Sequence, residues 1–222
     1  MVRYGTENLD FMYKAYIFDF DYTLANSEKG IVMCFEMLFA DEGYGPYPKD
    51  RIRATIGMTM YDAMSLLTGE TSPAKLKELI KRYKIRYSDK YMTANTRLYK
   101  EVVPTLKTLK KQGALCCIVS TKTRSRIMET LVRDKITDLV DCVIGSEDVR
   151  SPKPSPEGIK KTQKRYALPD KDILYIGDTL IDGETAANSR VDFAAVTTGT
   201  TSAEDFKTAG YYRIMKNLSE LI

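Results

Sequence analysis

The chain of 222 residues contains no histidine and no tryptophan. The missing histidine excludes Ser-His-Asp and Cys-His hydrolases, His-ligated zinc enzymes and every mechanism with a histidine general base, because each of these needs an imidazole. Any chemistry must therefore use carboxylates, hydroxyls, amines, thiols or a bound cofactor.

Cysteine is also scarce, with Cys34, Cys116, Cys117 and Cys142 the four present. They form no CxxC pair, so the sequence supports neither a metal cluster nor a redox dithiol, and buried reduced thiols are expected. The N-terminus lacks the pattern of a signal peptide, and no apolar run approaches the roughly 18 residues of a membrane span. We therefore expect a cytoplasmic protein without a membrane partner.

The balance of charge is close to neutral, at +4 from 34 basic and 30 acidic residues. The basic residues between 75 and 86 alternate with apolar residues at helical spacing, which indicates the solvent-facing side of an amphipathic helix. No nucleic-acid partner is therefore expected, and a monomer is the default assumption.

Two kinds of pattern divide the chain. Short apolar runs at 13–20, 114–119, 139–144, 173–176 and 193–196 predict strands, and helical segments such as 103–111 separate them. Ser155 and Pro156 are expected to cap and begin one of these helices. This alternation predicts a doubly wound, Rossmann-like parallel α/β sheet. An early block instead shows only helical periodicity, as in Ile31, Phe35 and Leu38. The predicted domains are an α/β core at residues 1–25 and 96–222, and an α-helical insert at residues 26–95.

Polar side chains follow three predicted strands of the core. Asp19 and Asp21 end the first strand, Ser120 follows the next, and Asp178 and Asp182 follow a later one. In doubly wound sheets, ligands bind beyond the carboxyl ends of the strands. Each feature also has a plain structural interpretation, because Asp19 and Asp21 could turn the chain and Ser120 could cap a helix.

Four carboxylates at one edge of a sheet would repel each other strongly unless a cation lay among them. Carboxylate oxygens are ligands that suit Mg²⁺. Lys153 stands in a loop stiffened by prolines and is the candidate for a second cation, with an exposed lysine in a turn as the alternative. A hydroxyl at a helix N-terminus, as expected for Ser120, is suited to hold phosphate oxygens. These residues together predict a site for Mg²⁺ and a phosphate group.

The order and spacing of these motifs resemble those of the haloacid dehalogenase-like (HAD) superfamily. The matching positions are Asp-Phe-Asp-Tyr-Thr-Leu at 19–24, Ser120, Lys153-Pro154, and Gly-Asp-Thr-Leu-Ile-Asp at 177–182. The resemblance covers essentially the whole chain, and the helical insert lies where the family carries its C1 cap. Within the superfamily, the chain is most similar to the phosphoglycolate phosphatase and β-phosphoglucomutase group.

The resemblance implies a Mg²⁺-dependent phosphatase that acts on a small soluble phosphomonoester. Asp19 would be the nucleophile that forms an aspartyl-phosphate, and Asp21 the general acid and base. Ser120 and Lys153 would hold the transferring phosphoryl group.

The metal ligands implied by the resemblance are the side chains of Asp19 and Asp178 and the main-chain carbonyl of Asp21. Asp182 would contact the metal ligands without binding the ion itself, or would reach the ion through a water molecule. Thr121 would support the phosphate-binding position.

Several residues depart from the family pattern. Tyr22 and Arg190 stand where many relatives have glycine, Asn26 where aspartate is common, and Thr121 where asparagine is common. None of these departures removes a catalytic group, but they weaken the transfer of a particular substrate from a relative.

The insert offers candidates for substrate binding around Arg51, Arg53 and Gly57. By analogy with related caps, an arginine here would hold a substrate carboxylate such as that of phosphoglycolate, and a surface arginine is the alternative interpretation. Thr121, Arg53 and Gly57 are the residues predicted to contact substrate.

Two other functions stay open. A β-phosphoglucomutase-like enzyme is disfavoured because such enzymes typically use a cap histidine, which this chain lacks. A non-catalytic, phosphate-binding protein of the same fold predicts the loss of at least one of Asp19, Asp21, Lys153 and Asp178, and all four are present.

Overall fold

The computed structural model describes residues 13–222. In chain order, its strands are β1 (Ala15–Phe18), β2 (Ala25–Asn26), β3 (Arg97–Leu98), β4 (Leu115–Val119), β5 (Cys142–Ile144), β6 (Ile173–Gly177), β7 (Asp192–Val196) and β8 (Ile214–Met215). Six of these described strands form one parallel sheet in the order β5-β4-β1-β6-β7-β8, while β2 and β3 form a separate antiparallel pair.

Helices connect the strands. They are α1 (Glu28–Glu42), α2 (Lys49–Arg53), α3 (Met60–Thr68), α4 (Pro73–Arg82), α5 (Asp89–Tyr91), α6 (Val102–Lys111), α7 (Arg124–Arg133), α8 (Glu157–Tyr166), α9 (Leu180–Ser189) and α10 (Ala203–Thr208). A single π-helical turn, Tyr83–Ser88, joins α4 to α5.

The centre of the sheet is buried on both faces. Ala15 in β1 pairs with Leu115 of β4 on one side and with Ile173 of β6 on the other, and every residue of β1 is buried. Parallel strands covered by helices on both faces are expected to read as short apolar runs, as these do. The structure confirms the predicted doubly wound α/β fold with its helical insert.

The insert has an apolar core of its own, separate from the two apolar clusters that cover the faces of the sheet. Helices α1 to α4 and the π-helical turn build it, and Tyr22 from the loop after β1 packs into it. The chain enters and leaves the insert through β2 and β3, where Asn26 pairs with Arg97. We therefore keep residues 26–95 as the proposed boundaries of the insert.

Element ends differ from the sequence predictions in two places. The strand expected at 139–144 begins only at Cys142, because Thr137–Leu139 forms a 3-10 turn. Helix α8 begins at Glu157, so the expected cap at Ser155 and first turn at Pro156 are wrong by one position, although Ser155 Oγ still accepts from the Glu157 amide at 3.3 Å.

The small strands β2, β3 and β8 have no counterpart among the predictions. Each is two residues long, too short to show periodicity. Within residues 13–222, no helix is both long and apolar enough to cross a lipid bilayer.

Candidate active site

The carboxyl ends of β1, β4 and β6 lie side by side at one edge of the sheet. Asp19, Ser120 and Asp178 each follow one of these strands directly. The Asp19 amide donates to the carbonyl of Ile176 in β6 at 2.8 Å, which holds the start of this loop against the neighbouring strand. The order of strands changes direction at β1, and such switch points are where open α/β sheets bind ligands.

Three buried carboxylates meet at this edge. Asp19, Asp178 and Asp182 are each at most 1% exposed, and one oxygen from each lies within 4.8 Å of the others. Burial, with further repulsion from Asp182, raises the pKa of Asp19 to about 6. Burial and then the charges of Asp182 and Asp19 raise the pKa of Asp178 well above its usual value. The group therefore favours the arrival of a cation.

Lys153 supplies one positive charge to this group. Its Nζ lies 3.1 Å from Asp19 Oδ1 and 2.5 Å from Asp182 Oδ1. Burial works against the ammonium, but the nearby Asp182 and Asp19 carboxylates outweigh it and hold the pKa of Lys153 well above its usual value. The lysine is therefore a buried charge directed at the carboxylates and not an exposed residue of a turn.

Asp182 uses both of its oxygens within the protein. Oδ1 accepts from Lys153 Nζ and from the Tyr175 hydroxyl at 3.0 Å. Oδ2 accepts from the amide and hydroxyl of Thr179, at 3.1 and 2.7 Å, in a capping box that starts α9. These bonds orient Asp182 toward Lys153, so Asp19 and Asp178 are the two carboxylates of the group that are available to bind a cation directly.

Asp21 is held separately from the three carboxylates. Lys122 Nζ donates to both of its oxygens, at 2.9 and 3.1 Å, and the Ser27 hydroxyl donates to Oδ1. Both Asp21 and Lys122 have side chains no more than 10% exposed. Sequence reasoning missed Lys122, although its place two residues after Ser120, at the same sheet edge, was a signal that it would face the site.

Two hydroxyl residues support the site from neighbouring loops. Thr23 Oγ1 donates to Asp178 Oδ1 at 3.0 Å. The Ser120 hydroxyl interacts with Asp19 and acts to lower its pKa, against the larger effect of burial. Helix α7 begins only at Arg124, so Ser120 does not cap it, and the expectation of a hydroxyl at the helix N-terminus is wrong.

The insert touches the core through Gly57. Its carbonyl accepts from Thr121 Oγ1 at 3.1 Å, and a Cβ at Gly57 would lie 3.1 Å from Thr179 Cγ2. The structure does not bring the two arginines to the same place. Arg53 pairs with Glu28 and Asp50, at 3.1 Å each, and Arg51 lies over the half-buried ring of Tyr47. Their contact with substrate stays a prediction.

A second contact joins the insert to helix α7. Arg126 pairs with Asp89 of the insert at 3.0 Å, and Thr93 donates to Glu129 at 2.5 Å. Arg133 also donates to the carbonyl of Thr93. These contacts hold the insert over the sheet edge that carries the carboxylates.

A cavity of about 230 Å³ lies between the insert and the core. Asp21, Thr121 and Lys122 line its core side, and residues from α1, α3 and the π-helical turn line the other side. A molecule bound at the carboxylates can therefore extend past Asp21 into the insert.

The sequence signature of haloacid dehalogenase-like hydrolases matches residues 16–196, which include every side chain described above at the sheet edge. The chain belongs to this family. Its helical insert after β1 agrees with a C1 cap and is called the cap below.

Among characterised proteins, the chain is 30% identical to the phosphoglycolate phosphatase of Rhodobacter capsulatus, over 85% of this chain and 86% of that protein. It is 27% identical to the pyrophosphatase PpaX of Halalkalibacterium halodurans, over 81% of each. A crystal structure of a haloacid dehalogenase-like hydrolase from Bacteroides fragilis superposes with a TM-score of 0.91 at 43% identity, covering 95% of this chain and all of that one. The chain is thus a HAD-like hydrolase of the phosphoglycolate phosphatase and PpaX-like group.

Proposed function

We propose that this protein is a Mg²⁺-dependent phosphatase that hydrolyses a small soluble phosphomonoester through phosphorylated Asp19. The observation that carries the proposal is the buried group of Asp19, Asp178 and Lys153 beside Asp21, which lines the cavity between the cap and the core. Such a group provides a nucleophile, a cation site and a proton donor within one small space. The four unpaired, buried cysteines agree with the cytoplasmic location that we also propose.

The residues present fit Mg²⁺. Three carboxylates face a single ammonium, so the group carries excess negative charge before any substrate binds. Asp19 Oδ1 is buried and has no hydrogen-bond donor among the described residues, because its contact with Lys153 lacks hydrogen-bond geometry. A side chain at Gly199 would collide with Asp178 Oδ2, so the backbone itself borders this oxygen. Asp19 and Asp178, with the carbonyl of Asp21, would hold the ion.

When bound, Mg²⁺ would orient the phosphate and offset its negative charge. Asp19 attacks phosphorus, and the bond from phosphorus to the leaving oxygen breaks while Asp21 donates a proton to that oxygen. Asp21 then takes a proton from water, whose oxygen attacks the phosphorus and releases inorganic phosphate and the Asp19 carboxylate. Ser120 and Lys153 hold the phosphoryl oxygens throughout.

Asp21 is positioned for both proton transfers. Lys122 and Ser27 hold its carboxylate from two sides, and it lines the cavity in which the leaving group would lie. Thr121 and Gly57, which also line the cavity, are joined by a hydrogen bond between core and cap. The cap keeps bulk water away from the phosphorylated aspartate, which favours ordered hydrolysis over side reactions.

A phosphatase assay tests the proposal. We expect the purified protein to release phosphate from phenyl phosphate with Mg²⁺ and not with EDTA. Asp19→Asn removes the nucleophile and abolishes turnover, and Asp21→Asn lowers kcat by about 10²- to 10⁴-fold because proton transfer is lost. Glu204→Gln, on the exposed side of α10, is the control and retains full activity.

Release of phosphate that does not need the metal, or full activity of Asp19→Asn, would contradict the proposal. The assay also separates the alternatives. A mutase would convert a sugar phosphate to its isomer without net release of phosphate, and a non-catalytic protein would bind phosphate without turnover. Phosphoglycolate and pyrophosphate belong among the substrates tested, because two relatives are named for them.

A further inference from the structure

The cavity under the cap is the space available to the leaving group of the substrate. It begins at Asp21, the residue that would protonate the leaving oxygen, and continues into the cap. The alcohol or phenol released by the reaction must therefore fit this cavity, so the chemistry of its walls describes the substrate.

The cap side of the cavity is predominantly hydrocarbon and thioether. Its apolar lining includes Ile31, Phe35, Ile56, Met60, Ile80 and Met92. The free energy of binding becomes more favourable in proportion to the apolar area that the bound group removes from water. An apolar cavity of about 150 Å³ binds benzene, so about 230 Å³ accommodates a ring with a short substituent or a branched chain.

The charged side chains that line the cavity already have partners. Lys122 is paired with Asp21 at 2.9 Å, and Arg126 lies between Asp89 at 3.0 Å and Glu129 at 2.7 Å. Another lining cation, on the π-helical turn, is exposed to solvent. Among residues 13–222, no buried cation of the cavity wall is therefore left to pair with an anionic leaving group.

Two polar groups of the wall lack partners. Tyr83 is 3% exposed, and its hydroxyl has no hydrogen-bond partner among the described residues. The terminal nitrogens of Arg126 are paired with Asp89 and Glu129, which balance its charge, but its buried Nε has no acceptor among the described residues. Buried polar groups in proteins are nearly always hydrogen-bonded, so a ligand that carries an oxygen acceptor would complete this wall.

We propose that the substrate is the phosphate monoester of a neutral, mainly apolar alcohol or phenol that carries at least one oxygen acceptor for Tyr83 or Arg126. This inference rests on the proposed phosphatase function and narrows its substrate class. Phosphoglycolate and pyrophosphate are poor substrates on this basis. Their leaving groups are anions, and each buried cation of the described cavity wall already has its charge balanced by a carboxylate.

The first test compares kcat/KM, with Mg²⁺, across straight-chain alkyl phosphates from ethyl to hexyl. We expect an increase of about fourfold per methylene until the cavity is full, the usual effect of burying one methylene. Phosphoglycolate and pyrophosphate should fall at least tenfold below the best alkyl ester. A higher kcat/KM for either anion, or no dependence on chain length, would overturn the inference while the phosphatase function stood. Failure to hydrolyse any ester would instead overturn the proposed function.

One variant of the cavity wall and one matched surface variant sharpen the test. Ala63 lines the cavity and is 3% exposed, so Ala63→Leu should shorten the optimal chain. Ala74→Leu, on an exposed position of α4, should leave the optimum unchanged. An equal shift in both variants would contradict the assignment of this cavity to the leaving group.

Tyr83→Phe removes only the unpartnered hydroxyl. Pentyl phosphate should keep its kcat/KM within about twofold in this variant. At least one of 2-ethoxyethyl and 3-methoxypropyl phosphate, which match pentyl phosphate in length, should lose about three- to tenfold, the usual effect of one hydrogen bond. Equal changes for all three esters would show that Tyr83 does not contact the leaving group.

Discussion

Removal of the Lys153 ammonium should be the most destabilising single change at the site. The side chain of Lys153 is 4% exposed, and its Nζ lies 3.1 Å from Asp19 and 2.5 Å from Asp182. Lys153→Met keeps much of the side-chain volume but leaves three buried carboxylates without their cation. Removing one partner of a buried ion pair typically costs about 3–5 kcal/mol, because the remaining charge is uncompensated.

The expected loss is a large part of a typical folding free energy of about 5–15 kcal/mol. For a chain of this size, each kcal/mol lowers the melting temperature by about 2–4 °C, so we expect a decrease of about 6–20 °C. The measurement is urea or thermal unfolding followed by circular dichroism, near neutral pH and in EDTA. Mg²⁺ should restore part of the loss, because a divalent cation also offsets the carboxylates.

Lys207→Met is the matched control. Lys207 is exposed on α10, and its one ion pair among the described residues, with Glu204, is 3.9 Å long. This variant should unfold at the same urea concentration and temperature as the wild type, because exposed ion pairs contribute little to the free energy of unfolding. If Lys153→Met unfolded at the same urea concentration as Lys207→Met, the ammonium would not compensate the carboxylates, and the charge balance described for the site would be refuted.

Three further predictions concern the backbone, the metal and the cap. Gly57→Ala should lower the free energy of unfolding by about 1–3 kcal/mol, measured by thermal unfolding, because φ is +100° at this position. Gly45→Ala, where the added Cβ would meet open space, should have no such effect, and equal effects in the two variants would argue against backbone strain. Mg²⁺ at about 100 times its Kd should raise the free energy of unfolding of the wild type, and of the control Glu204→Gln, by about 2.7 kcal/mol. Asp178→Asn should lose this effect, and its full retention would exclude the Asp178 carboxylate as a ligand. Arg126→Met breaks the ion pair between α7 and the cap, so hydrogen exchange of the cap amides should become faster, and unchanged protection would contradict a role of this pair in cap closure.

Much of the fold was predictable from the sequence, because long elements carry their own periodicity. The strands β1, β4, β6 and β7 and helix α6 lie within one or two residues of their predicted ends. The pairs that escaped prediction, β2 with β3 and β7 with β8, each include a strand of only two residues, whose formation depends on the neighbouring strand and not on local pattern.

The departures from the family pattern acquire a physical meaning in the structure. Tyr22 and Arg190 both adopt positive φ, at 57° and 61°, which explains why glycine suits these positions in relatives. Tyr22 instead packs into the apolar core of the cap, and its hydroxyl donates to Glu28 at 2.8 Å. Asn26 Oδ1 accepts from the amide of Glu28 at 3.1 Å, next to Ser27, whose hydroxyl is engaged by Asp21.

The sequence by itself determined the fold class, the edge of the sheet that carries the site, and the types of residue present there. These follow from periodicity and from the position of polar residues at strand ends. The partners of each residue were decided only by tertiary structure. Asp21 meets Lys122 across 101 residues of chain, and both oxygens of Asp182 are taken by donors within the core. The apolar wall and the position of Tyr83, whose hydroxyl has no partner among residues 13–222, arise only when the cap helices pack against one another, because contacts between distant segments leave no periodic trace in the sequence.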